Sequence, residues 1–101
     1  MINKEQRKYL RSLAHERKPV IWVGQNGLTD NVLEEINNAL DHHELIKIKV
    51  GAGEREEREL VTANICKQTN ADLIQKIGYT VTVFRRNDET PVIQLPKSRA
   101  N

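Results

Sequence analysis

The run Val20-Ile21-Trp22-Val23-Gly24-Gln25-Asn26-Gly27-Leu28-Thr29 constrains the fold more than any other part of this chain. Four apolar residues after a proline read as a short strand buried on both faces. The G-x-x-G that follows has the length of a tight turn. Thr29 or Asp30 can then cap a helix whose apolar positions, Val32, Leu33, Ile36, Ala39 and Leu40, recur at helical spacing. Strand, turn and helix in that order form a building unit of α/β folds.

The remaining segments extend the same pattern. A first helix is predicted from about Lys4 to Glu16, with Tyr9, Leu10 and Leu13 as its apolar stripe and Ala14 at the edge. Lys4, Lys8, Arg11 and His15 recur on its other side, and Pro19 closes it by disfavouring helix at Lys18. Leu45 to Val50 alternates, with Ile46, Ile48 and Val50 on one face and Lys47 and Lys49 on the other. A third helix is predicted over Arg55 to Thr69, burying Leu60, Val61, Ile65 and Cys66. Leu73 to Ile77 reads as a strand, and Gly78-Tyr79 as a two-residue hairpin turn into Thr80 to Arg86. The expected fold is a single-domain α/β sandwich of order α-β-α-β-α-β-β, with a mixed four-stranded sheet and three helices. Two strand-helix-strand crossovers predict a parallel core, with the last strand added antiparallel.

Composition excludes several classes. The 101 residues are enough for one domain with a modest core, and the single Cys66 rules out an internal disulfide and suits a reducing cytoplasm. No apolar stretch approaches the roughly 20 residues needed to cross a bilayer, and the N-terminus has no signal-peptide core. The tail after Asn87, with Pro91, Pro96, Lys97 and Arg99, is expected to be extended, basic and partly frayed.

Charge is strongly segregated. Residues 1–27 carry six basic side chains and two acids, residues 28–72 five basic and ten acids, and residues 73–101 five basic and two acids. Such asymmetry hints at a polyanionic partner. The glycine-bounded loop lies in the first basic block. Glycines at its ends let backbone pass close to a ligand, and amides at a helix start suit a phosphate; KH-type RNA-binding modules grip nucleotide backbone with such a loop. By itself the motif more often marks a plain strand-to-helix turn.

The order of these blocks resembles the CRM domain, named for chloroplast RNA splicing and ribosome maturation. The resemblance runs from Lys4-Glu5-Gln6-Arg7, Leu10-Arg11, Leu13-Ala14-His15 and Lys18-Pro19-Val20 through Val23-Gly24-Gln25-Asn26-Gly27-Leu28-Thr29. It continues in His43 to Lys49, Arg55-Glu56 and Gln75 to Thr80, and ends at Phe84-Arg85. It covers about residues 3 to 87 and is closest in kind to the stand-alone bacterial, YhbY-type members. It implies a domain shaped like the C-terminal domain of translation initiation factor three, acting without a cofactor as a monomeric, cytoplasmic RNA-binding protein. The implied partner is structured RNA, specifically ribosomal RNA in precursors of the large ribosomal subunit. The family's RNA-binding loop falls on Gly24, Gln25, Asn26 and Gly27, supported by Lys4, Arg7, Lys8, Arg11, Lys18 and Arg86. Many members carry a basic residue inside the loop; here Gln25 and Asn26 stand there, so Coulombic attraction has to come from neighbours.

Other features admit plainer roles. Lys47 and Lys49 are expected to lay their stems along apolar surface under a helix, with RNA contact as the alternative. Arg55 and Arg58 are expected to pair with the glutamates around them. Of Arg85 and Arg86, at most one should be paired, leaving the other for RNA. Tyr9 and Trp22 are expected in the core, and Tyr79 exposed at the hairpin tip. His15, His42 and His43 do not have metal-site spacing. A protein-docking reading would use Glu34, Glu35, Asp41 and Glu44. An enzyme reading would use Gly51-Ala52-Gly53 as a dinucleotide loop, but Glu56 replaces its third glycine, and Asp72 precedes its strand instead of ending it.

Overall fold

The computed structural model describes residues 2–51 and 53–97. The elements are α1 (Lys4–Ala14), β1 (Pro19–Val23), α2 (Asp30–His43), β2 (Leu45–Val50), α3 (Arg55–Thr69), β3 (Asp72–Ile77) and β4 (Thr80–Phe84). The predicted order holds throughout, and the bounds of β2 and α3 match. Helix α1 starts in a capping box, in which Asn3 Oδ1 accepts from the Gln6 amide and Gln6 Oε1 from the Asn3 amide. Thr29 caps α2 by accepting from the Val32 amide at 3.2 Å.

The strand order is β1-β2-β4-β3. β1 pairs parallel to β2, whereas β4 runs antiparallel to both β2 and β3. The expected parallel core is thus limited to one pair, because β4 inserts between β2 and β3 instead of adding at an edge. Residue chemistry explains this. β4 is Thr-Val-Thr-Val-Phe, uncharged on both faces and buried from Val81 to Phe84. β3 carries Asp72 and Lys76 and is mostly exposed, which suits an edge.

The two faces of the sheet are covered unequally. Ile21, Val23, Ile46, Ile48, Val50, Val81 and Val83 pack under α2 and α3, against Ile36, Leu40 and Ile65. On the other face, Leu10 and Ala14 of α1 pack on Leu45, Ile74 and Phe84, together with Ile93 from the tail. These three sheet residues lie at the end where β2 begins and β4 finishes, so α1 covers only that end.

Several expectations are corrected by this packing. β1 is buried on one face only: Ile21 and Val23 are inside, while Trp22 is 63% exposed. Tyr9 also lies outside the core, since Leu10 and Ala14 define the centre of the α1 stripe. Leu60 is exposed because it lies five residues before Ile65, about 140° round the helix, and Thr62, Ile65 and Thr69 form the buried line instead. The tail is docked as far as Pro96: Ile93 is buried, Leu95 packs beside it and Pro96 O accepts from Gln6. The last tail residues, Arg99 among them, lie outside the described residues. No helix among the described residues is long and apolar enough to cross a membrane.

Candidate functional site

The Gly24–Gly27 loop stands at the end of β1, next to the start of the β2–α3 connection, where the Gly51 amide donates to Val23 O at 3.0 Å. It closes as a turn through the Gly27 amide donating to Gly24 O at 3.0 Å. Gly27 takes φ +70°, a conformation L side chains rarely adopt, so the turn itself asks for glycine there. Gly24 differs. Its φ is outside the left-handed region, and an added Cβ would meet nothing within 4 Å. Gln25 and Asn26 are exposed at the tip. Asp30 occupies the first turn of α2 and already complements the helix dipole, so an approaching phosphate meets the loop tip more favourably than the helix end.

The predicted basic residues are not gathered around this loop. Lys18 precedes β1 and Arg86 follows β4, both at the far end of the sheet, one strand length or roughly 17 Å away. α1 crosses that same end. One flank of it meets the tail, with Gln6 Nε2 donating to Pro96 O at 2.9 Å. The opposite flank carries Lys4, Arg7, Lys8 and Arg11 and looks along the uncovered part of the sheet; Arg7 donates from it to Leu73 O at 2.5 Å. Arg17, which the sequence reading passed over, donates to Leu45 O and anchors the turn between α1 and β1.

Both arginines after β4 are engaged, so neither is left free as expected. Arg85 donates to Asn37, Thr69 and Asp41, the last at 2.8 Å. Arg86, although exposed, donates to Ile93 O at 2.8 Å. Arg58 donates to Gly53 O and lies 4.4 Å over the Tyr79 ring, while Arg55 makes the expected pair with Glu59 at 3.5 Å.

The alternative sites lose members. Glu44 is fully buried, not part of an acidic docking face. Its carboxylate accepts from the amides of Asn87, Val92 and Ile93 at 2.7, 2.9 and 2.6 Å. Burial pushes its pKa up, but these three amides and nearby Arg86 outweigh that and hold it below the ordinary value. Asp41 is spent on Arg85. At the head of α3, Glu57 accepts from the Glu54 amide at 3.3 Å, in the place a pyrophosphate would need.

Comparison with known proteins points one way. The model of the CRS1/YhbY (CRM) domain family matches residues 2–85. A Haemophilus influenzae protein named "RNA-binding protein" is 44% identical over 95% of this chain and 96% of its own length. The Bacillus subtilis "Probable RNA-binding protein YqeI" is 34% identical over 95% of this chain and all of its own. The solution structure of a Staphylococcus aureus protein, provisionally described as RNA-binding, superposes with a TM-score of 0.79 at 31% identity, over 95% of this chain and all of that one.

Proposed function

We infer that this chain, which belongs to the CRS1/YhbY (CRM) domain family, binds structured RNA and does no covalent chemistry on it. The observation that carries this reading is the exposed loop with a glycine, Gly24, that the free fold does not require. A backbone kept bare at a solvent-facing tip is suited to close approach by another backbone. Gln25 and Asn26 would hydrogen-bond phosphate or base edges. Lys4, Lys8, Arg11 and Lys18 would supply the sequence-independent attraction, with Arg7 and Arg86 contributing what their intramolecular bonds leave over. The RNA we propose is ribosomal, in precursors of the large subunit, met in the cytoplasm. That finer assignment is supported by kinship with the CRM family, whose bacterial members it resembles, and not by any geometry of the site.

The test is a salt titration of binding to structured ribosomal RNA, with duplex DNA of equal length as competitor. Tight, salt-sensitive binding that prefers RNA is expected. Gln25→Asp combined with Asn26→Asp should weaken it about tenfold or more, since two carboxylates then face phosphates, while the melting temperature stays the same. Equal affinity in that variant would remove the loop from the site.

A further inference from the structure

Between the loop and α1 lies a part of the sheet that no helix or loop among the described residues covers, although Thr82, flanked by Lys47 and Gln75, is itself buried. Register places its residues in two rows across all four strands. One row is Trp22, Lys49, Thr80 and Ile77; the other is Pro19, Lys47, Thr82 and Gln75. The rows are about 7 Å apart, and four strands make each about 14 Å wide. Lys49 is exposed and Lys47 half-buried, while Trp22 and Ile77 are 63% and 62% exposed at opposite edges. The second row lines a shallow depression of about 200 Å³.

An exposed tryptophan on a surface strand is expensive to leave wet, since it withholds a large apolar area from the core. Its surroundings decide what would cover it. Neither row contains a carboxylate among the described residues, and two ammonium groups occupy β2, one of the two inner strands. A second copy meeting this face about a two-fold axis would bury four lysine charges against one another. A polyanion meets it with complementary charge. Trp22 also stands next to the last residue of β1, two residues before Gly24, so anything held by the loop is close to it.

We propose that this open sheet face is a second RNA contact that takes an unpaired strand, with a base stacked on Trp22 and phosphates held by Lys49 and Lys47. Thr80 and Gln75 lie within the same rows to hydrogen-bond base edges or sugars. A four-stranded sheet carrying an aromatic platform holds two or three bases in other RNA-binding modules, which fits the area available. The proposal rests on the RNA reading above and deepens it: the loop and α1 would grip a structured element, and the sheet the single strand leaving it.

Trp22 is the sole tryptophan, so its fluorescence reports on this face alone. The intact chain is titrated with a blunt RNA hairpin and with the same hairpin extended by about ten unpaired nucleotides. The extension is expected to tighten binding about fivefold to a hundredfold and to quench Trp22 emission. Trp22→Ala should abolish that advantage while leaving affinity for the blunt hairpin unchanged, and Trp22→Phe should retain most of it. Lys47→Ala with Lys49→Ala should also abolish the advantage, weakening the blunt hairpin only through lost general attraction. If the blunt hairpin binds but the extension adds nothing and emission does not change, the sheet proposal is overturned and the RNA reading stands. If neither RNA binds, both fall. Concentration-dependent dimerisation that Trp22→Ala abolishes would also overturn the proposal, by assigning the face to a second copy.

Discussion

The two loop glycines separate two reasons for being glycine. Gly27 adopts φ +70° and Gly24 does not, yet both are bare of neighbours where a Cβ would stand. Alanine at Gly27 should therefore cost roughly 1 kcal/mol of stability through backbone strain alone. Alanine at Gly24 should leave thermal unfolding unchanged and instead weaken RNA binding. Melting curves and binding curves on the two variants check this directly. The opposite assignment, Gly24 for stability and Gly27 for affinity, would mean that no backbone approaches the loop at Gly24. Sequence spacing identifies the G-x-x-G but cannot separate these roles. They depend on one dihedral angle and on empty space, neither of which is written in residue identity.

At the end of the sheet remote from the loop, one side chain ties the tail to the junction of α2 and β2. Glu44 sits between α2 and β2 at φ +62°, an uncomfortable backbone for a residue with a Cβ. Its amide donates to Leu40 O, its carbonyl accepts from the Arg85 amide, and its carboxylate gathers the tail. That hold keeps Ile93 against α1 and so completes the smaller apolar cluster. Glu44→Ala is expected to cost roughly 3 kcal/mol and lower the melting temperature by about 10 °C or more, because one buried and two partly buried amides lose a charged acceptor. The pH dependence follows from the lowered pKa of the carboxyl group. Its contribution is present in full above the unfolded glutamate value near 4.3 and is lost as pH falls through the lower folded value. Wild type should thus lose stability over that acid range more steeply than Glu44→Ala. Denaturant midpoints measured from about pH 6 downward test this; parallel curves would remove Glu44 as the cause. In the sequence Glu44 reads as one more acid in an acidic stretch, since nothing local marks it as the acceptor for a tail more than forty residues away.

Across the whole molecule, the segregation of charge along the chain becomes segregation across the sheet. α1, with Lys4, Arg7, Lys8 and Arg11, lies on one side, and the same side shows Lys47 and Lys49. α2 and α3 lie on the other: α2 carries Asp30, Glu34, Glu35 and Asp41 with no Lys or Arg, while in α3 Glu56, Glu57 and Glu59 are balanced by Arg55, Arg58 and Lys67. A polyanion is attracted to one side and repelled from the other, so the domain is oriented before contact. Lys8→Ala with Arg11→Ala is expected to reduce the slope of log affinity against log salt by about 1 to 2, as two phosphate contacts stop releasing counterions. The matched change on the far side, Glu34→Gln with Glu35→Gln, should leave that slope unchanged. Equal responses from the two variants would show that net charge, not its placement, governs binding.

Sequence alone determined the run of elements, the alternation that puts Lys47 and Lys49 opposite Ile46 and Ile48, the position of the loop and the family. Each of these depends on neighbours a few residues apart: helical or strand periodicity, a capping side chain, a turn glycine, a motif. Tertiary structure alone decided that β4 enters the middle of the sheet and that α1 covers only one end of its second face. It also turned Trp22 out to solvent and left Arg85 and Arg86 both engaged. These outcomes depend on which surfaces compete for the same apolar area, and periodicity shows only which side chains share a face, not whether anything arrives to cover it.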